Sequence, residues 1–120
     1  MIKYHTTDNN IKIAEITDKN IRIATPDDAL ELFANLDEPS CNRIVVRESN
    51  LNNDFFDLKT KIAGEILQKF SNYKVKLAII GDFTKYKSRS LQDFIRESNR
   101  GRTVFFADDL DSALSKLGKL

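Results

Sequence analysis

The sequence predicts a single α/β domain with the order β-β-α-β-α-β-α-β-α, a mostly parallel five-stranded mixed sheet with four helices. Three observations predict it. Short β-branched or aromatic runs, at 43–47, 75–80 and 103–106, alternate with longer stretches whose apolar residues recur every three or four positions. Capping residues stand at the start of those longer stretches. The 120 residues, 41% apolar and 31% charged, suit one soluble domain with a real core. Strands alternating with helices imply right-handed crossovers and a largely parallel sheet.

Each element has its own signal. Residues 11–16 (IKIAEI) and 20–24 (NIRIA), separated by TDK, read as a hairpin that adds one antiparallel strand. The polar segment before them, which contains His5, is expected to fray. Thr25 can cap the first helix, with Pro26 at its first position and Asp28 closing a capping box. Pro39 stops that helix. After the strand 43–47, Asp54 is the expected N-cap of a long helix whose buried stripe is Phe55, Leu58, Ile62, Ile66 and Phe70. The run 75–80 suits a strand buried on both faces. Gly81-Asp82 turns the chain, Ser90-Leu91-Gln92-Asp93 resembles a capping box, and Gly101 reads as a helix stop. Residues 103–106 form the last strand, and a capped helix follows it. RESN occurs at both 47–50 and 96–99, once at a strand end and once at a helix end, so it marks no repeat.

Composition removes several function classes. A net charge of +1 argues against a nucleic-acid binder. The apolar runs, about five residues at most, are far too short for a membrane span. The first residues lack the apolar stretch of a signal peptide. One cysteine, Cys41, allows no internal disulfide and suggests a reducing cytoplasm; it is expected to be inert. One histidine and one cysteine leave no zinc site and little room for triad catalysis. No metal, cofactor or catalytic residue is therefore expected.

In open α/β sheets ligands sit beyond the carboxyl ends of the strands. There the sequence places Thr25-Pro26, 48–54, 81–90 and 107–109, so Glu48, Asp54, Asp57, Asp82 and Asp108 could share one rim. Glu48, Asp82 and Tyr86 are the candidate ligand-rim residues. Glu48 with Asp57 could form a carboxylate pair. The plainer reading makes Asp54 and Asp57 helix-start residues, and it is preferred. Asp54, Asp57, Lys61, Gly64 and Gln68 form a candidate partner-binding surface, the last four at helical spacing. Gly64 inside a helix is costly, and close packing is its preferred explanation. From 85 to 102 six basic residues face two acids, with Tyr86 interleaved. A solvated helix face is preferred over contact with phosphates or an anionic surface.

The run DFFDLKTKIAGEILQKFSNYKVKLAIIGDF, with SLQDFI and ESN beyond it, resembles a small bacterial family catalogued as domain of unknown function 4180. That family implies no activity. The order of elements also resembles STAS (SpoIIAA-like, anti-sigma factor antagonist) domains, which act mainly by docking onto a partner protein. Their switch is a phosphorylated serine in an Asp-Ser-Ser-Gly motif at the start of the helix after the third strand. Here Asp57 falls near the phosphorylated position and Leu58 near the glycine, so the switch serine is missing. Asp57 could stand there as a permanent negative charge.

Two functions follow as expectations. The preferred one is a non-enzymatic regulatory or protein-interaction module, docking a protein partner or a second copy through the helix after the third strand. The alternative is a small-ligand or enzyme site on the acidic rim of Glu48, Asp54 and Asp82. Contact of the 85–102 stretch with anionic lipid is a weaker third.

Overall fold

Three crossovers that all advance the same way set the layering of this domain. The computed structural model describes residues 2–119. Its strands are β1 (Ile2–Thr6), β2 (Lys12–Ile16), β3 (Arg43–Arg47), β4 (Lys76–Ile80) and β5 (Val104–Ala107). Its helices are α1 (Pro26–Ala34), α2 (Ile62–Asn72), α3 (Arg89–Arg100) and α4 (Leu110–Gly118). The strands lie in sequence order, β1-β2-β3-β4-β5, with β1 antiparallel to β2 and every later pair parallel. This is the predicted five-stranded mixed sheet with four helices.

Crossovers of one hand that step in one direction must all lie on one face. Accordingly, α1, α2 and α3 bury Ala29, Leu32, Ala63, Ile66, Phe70, Leu91 and Ile95 against Ala14, Ile16, Ile44, Val46, Leu77 and Ile79. The helix α4 follows the last strand and makes no crossover. It covers the other face, where Ala113 and Leu117 meet Ile13, Val45, Ala78 and Phe105. The alternation of strand side chains assigns each face its own residues.

The local signals of α1 hold in detail. The Thr25 hydroxyl accepts from the Asp28 N–H, the Asp28 carboxylate accepts from the Thr25 and Ala24 N–H groups, and Pro26 opens the helix. Gly101 caps α3 at its C-terminal end, and Asp109 caps α4.

Four expectations are corrected. The hairpin is formed by Ile2–Thr6 with Lys12–Ile16, so the segment expected to fray is a strand. Residues 20–24 form no strand; only Ile23 bridges to Leu51. The N-cap of α3 is Ser88, two residues before the capping box expected at Ser90. The long helix begins at Ile62, and three 3-10 turns, Glu48–Asn50, Asn53–Phe56 and Leu58–Thr60, precede it. Asn52 caps the second turn and Asp57 the third, while Asp54 caps nothing. These local side-chain bonds compete with helix, and Lys61 then takes a left-handed conformation (φ 65°) that separates the turns from α2.

Candidate functional site

The turn that leaves β3 and the loop that leaves β4 enclose an open cleft of about 920 Å³ at the carboxyl ends of the strands. Arg22, Glu48, Ser49, Asn52, Asn53, Asp54, Phe56, Lys85 and Tyr86 line it. The lining residues from Glu48 to Phe56 belong to the first two 3-10 turns and the short link between them, so they stay beside the end of β3 and are not part of α2.

Glu48 is the least exposed charged group of the cleft, with 17% of its side chain accessible. The Tyr86 hydroxyl donates to Glu48 Oε2, and Lys85 Nζ lies 2.8 Å from the same oxygen. Burial, then the bond to Glu48 and its negative charge, push the Tyr86 phenol well above its ordinary value. Tyr86 therefore stays a donor. Its ring stacks on Phe56 (centroids 5.0 Å apart, planes at 15°), which forms an aromatic wall. Gly81 makes room for this arrangement: a Cβ there would lie 2.7 Å from Glu48 Oε1 and 2.8 Å from Glu48 Cβ.

The rim is tied down from behind. Asn50 is buried, and its amide donates to the carbonyls of Asp18 and Ile21 while its oxygen accepts from the Arg47 N–H. Arg22 Nη1 donates to the carbonyls of Ser49 and Lys19. The segment after β2 is thereby fastened to the turn after β3. Sequence reasoning missed both residues, since an asparagine in a turn has no visible sign of burial.

A family model matches residues 8–117. The chain belongs to the family described as domain of unknown function (DUF4180). No curated protein and no solved structure matches it. The matched span of this DUF4180 domain contains the whole cleft and begins just after β1.

The other candidate residues of the DUF4180 chain fall outside the cleft lining. Asp82 turns back on its own loop, where the Thr84 hydroxyl and N–H bond its carboxyl and hold it below the ordinary value. Asp57 is exposed, caps the Lys59 N–H, and makes no pair with Glu48. Asp108 lies beside a separate hollow near β5. Of the surface predicted on one helix, only Gly64 and Gln68 are in α2; Asp57 and Lys61 precede it. A Cβ on Gly64 would meet nothing within 4 Å, so close packing does not explain that glycine. Gln68 donates to the Asn72 side chain. Three of the six basic residues from 85 to 102 are paired: Lys85 with Glu48, Arg96 with Asp93 and Arg100 with Glu97.

A second cluster lies on the α4 side of the sheet. Glu15 is 5% exposed; His5 Nε2 lies 2.8 Å from its Oε1 and Arg47 Nη2 donates to its Oε2 at 2.9 Å. Burial pushes the Glu15 carboxyl up, but the bonds from His5 and Arg47 and their charges outweigh it, and the net shift is downward. Cys41 is a buried thiol directed at the carbonyls of Lys12 and Arg43. Among the described residues no three of His, Cys, Asp and Glu converge as metal ligands, and no helix is long and apolar enough to cross a membrane.

Proposed function

We propose that this domain is a non-enzymatic regulatory module that binds a small polar ligand in the cleft above β3 and β4. The observation that carries the reading is Glu48, a carboxylate with 17% of its side chain accessible, bonded by Tyr86 and paired with Lys85 in the lining of a concave site. The cleft volume of about 920 Å³ falls within the range, roughly 300–1,000 Å³, of small-molecule sites. Two acids and two basic residues line it, which suits a ligand of low net charge. The STAS-like order of elements supports the regulatory half of the reading, and the buried free Cys41 agrees with a reducing cytoplasm.

A thermal-shift screen of polar metabolites tests it. The expected result is a concentration-dependent rise in Tm with at least one compound, lost in Glu48→Gln. A flat response across the screen would sink the reading.

One observation favours a second reading, docking of a protein partner or a second copy through Asp54, Asp57, Lys61, Gly64 and Gln68. Gly64 leaves open space on an exposed helix face, where a partner backbone could approach closely. Sizing in solution combined with Gly64→Gln tests it; association that the variant leaves intact counts against it.

A further inference from the structure

Tyr86 and Lys85 both reach Glu48 through Oε2. Oε1 lies on the other side of the carboxylate, against Gly81, so the oxygen that Tyr86 and Lys85 share is the one at which cations meet this group. Of the two partners on Oε2, Tyr86 is half-buried and Lys85 is exposed, so the lysine is the one a ligand could replace. The group already beside it is an ammonium: Lys85 Nζ lies 2.8 Å from Oε2 and 5.4 Å from the centre of the Tyr86 ring. A carboxylate and an aromatic face together are what an organic ammonium needs in place of water. Phe56 stacks on the Tyr86 ring and fixes its orientation, and Asp54 adds a second negative charge at the rim.

We propose that the cleft recognises a primary ammonium group and that Lys85 is its resident competitor. The incoming ammonium donates to Glu48 beside the Tyr86 ring, and Lys85 swings out to solvent. The proposal rests on the ligand-binding reading of the cleft given above. Lys85 suits the part because its side chain is 57% exposed and an ion pair so exposed is weak and easily broken. Arg22, the other cation of the cleft, is held by two backbone carbonyls and leaves Glu48 alone.

Amide NMR titration of the full chain tests this, with the Gly81 N–H as the reporter because its residue lies against Glu48. The probes are n-butylammonium and N-acetyl-lysine amide, with butyrate and n-butanol as controls. Both ammonium probes are expected to move the Gly81 signal, and the controls are not. Lys85→Met is expected to bind the ammonium probes about fivefold more tightly, the upper range for loss of an exposed ion pair. Glu48→Gln is expected to abolish the response. A response to n-butylammonium alone assigns a free amine; a response to the lysine amide as well admits a peptide side chain. Equal or weaker binding by Lys85→Met overturns the competitor role. Movement with the controls only, or silence here alongside hits in the metabolite screen, overturns ammonium recognition and leaves the ligand-binding reading standing. Silence in both experiments overturns the two together.

Discussion

Glu15 lies in β2 and Glu48 directly follows the neighbouring β3, near the same end of the sheet, and each is held by one cation and one further donor. They differ in how the two oxygens are used. At Glu15 each oxygen has its own partner, His5 on Oε1 and Arg47 on Oε2, and the residue is 5% exposed. At Glu48 both partners crowd onto Oε2, and the side chain opens onto a cleft. Arg47 and Glu48 are consecutive, so one turn of chain serves a closed charge cluster on one side and an open one on the other. At Glu15 both oxygens are committed to partners within the fold. At Glu48 the cation is a mostly solvated lysine at the edge of a cleft.

The largest effect that would sharpen this contrast is on the closed side. Arg47→Met leaves Glu15 buried with one partner fewer. Removing one partner of a fully buried pair costs roughly 3–5 kcal/mol. Arg47 is 41% exposed, so the expected loss in urea unfolding is smaller, about 2 kcal/mol. A loss no greater than that of Lys85→Met would erase the distinction.

Next comes Gly81→Ala, whose Cβ would collide with Glu48. Overpacking of this kind costs about 1–3 kcal/mol, and a value near the lower end is expected because the glutamate can swing into the cleft. The same variant should bring the Tyr86 phenol back toward its ordinary value, read by ultraviolet absorbance on alkaline titration. A phenol still held high would show that Glu48 had not moved.

The pH dependence follows in size. Glu15 is held below its ordinary 4.5, so as pH falls through that value the unfolded chain takes up the proton first. Stability is full above this range and is lost as pH falls toward the lower folded value. Tyr86 has the opposite sign. Its folded pKa is raised above the ordinary 10.0, so stability is full below that value and falls as pH rises past it. Urea midpoints across pH check both slopes; Arg47→Met should flatten the acid one and Glu48→Gln the alkaline one. The smallest effect is Lys85→Met, expected to change stability by less than about 1 kcal/mol, because its pair is mostly solvated.

Much of the frame was legible because its signals are local. The Thr25-Pro26-Asp28 start of α1 needs only neighbouring atoms, and the apolar runs of β3, β4 and β5 need only burial. The hairpin was misplaced because two segments compete for β2. Ile2 and Tyr4 alternate with Lys3 and His5 as a half-buried strand should, but NIRIA is equally rich in isoleucine. The choice depends on Asn50, 32 and 29 residues beyond Asp18 and Ile21, whose amide donates to the carbonyls of both and keeps that segment a loop. The start of α2 was misread for another reason. Apolar residues every three or four positions describe a string of 3-10 turns as well as a helix. The decisive sign was Phe55 beside Phe56, both buried, which one face of an amphipathic helix does not readily accommodate. Of the rim, Glu48, Asp54 and Tyr86 were legible from strand ends; Lys85 and Arg22 depended on where long side chains reach.

The direction of the crossovers has a consequence for synthesis. Because α1, α2 and α3 each arrive with the strand they connect, their face of the sheet can be covered as the chain lengthens. The opposite face waits for α4, which follows every strand. Until that helix emerges from the ribosome, Ile13, Val45, Ala78 and Phe105 have no cover, and the nascent domain carries one apolar side open to chaperones or to other chains.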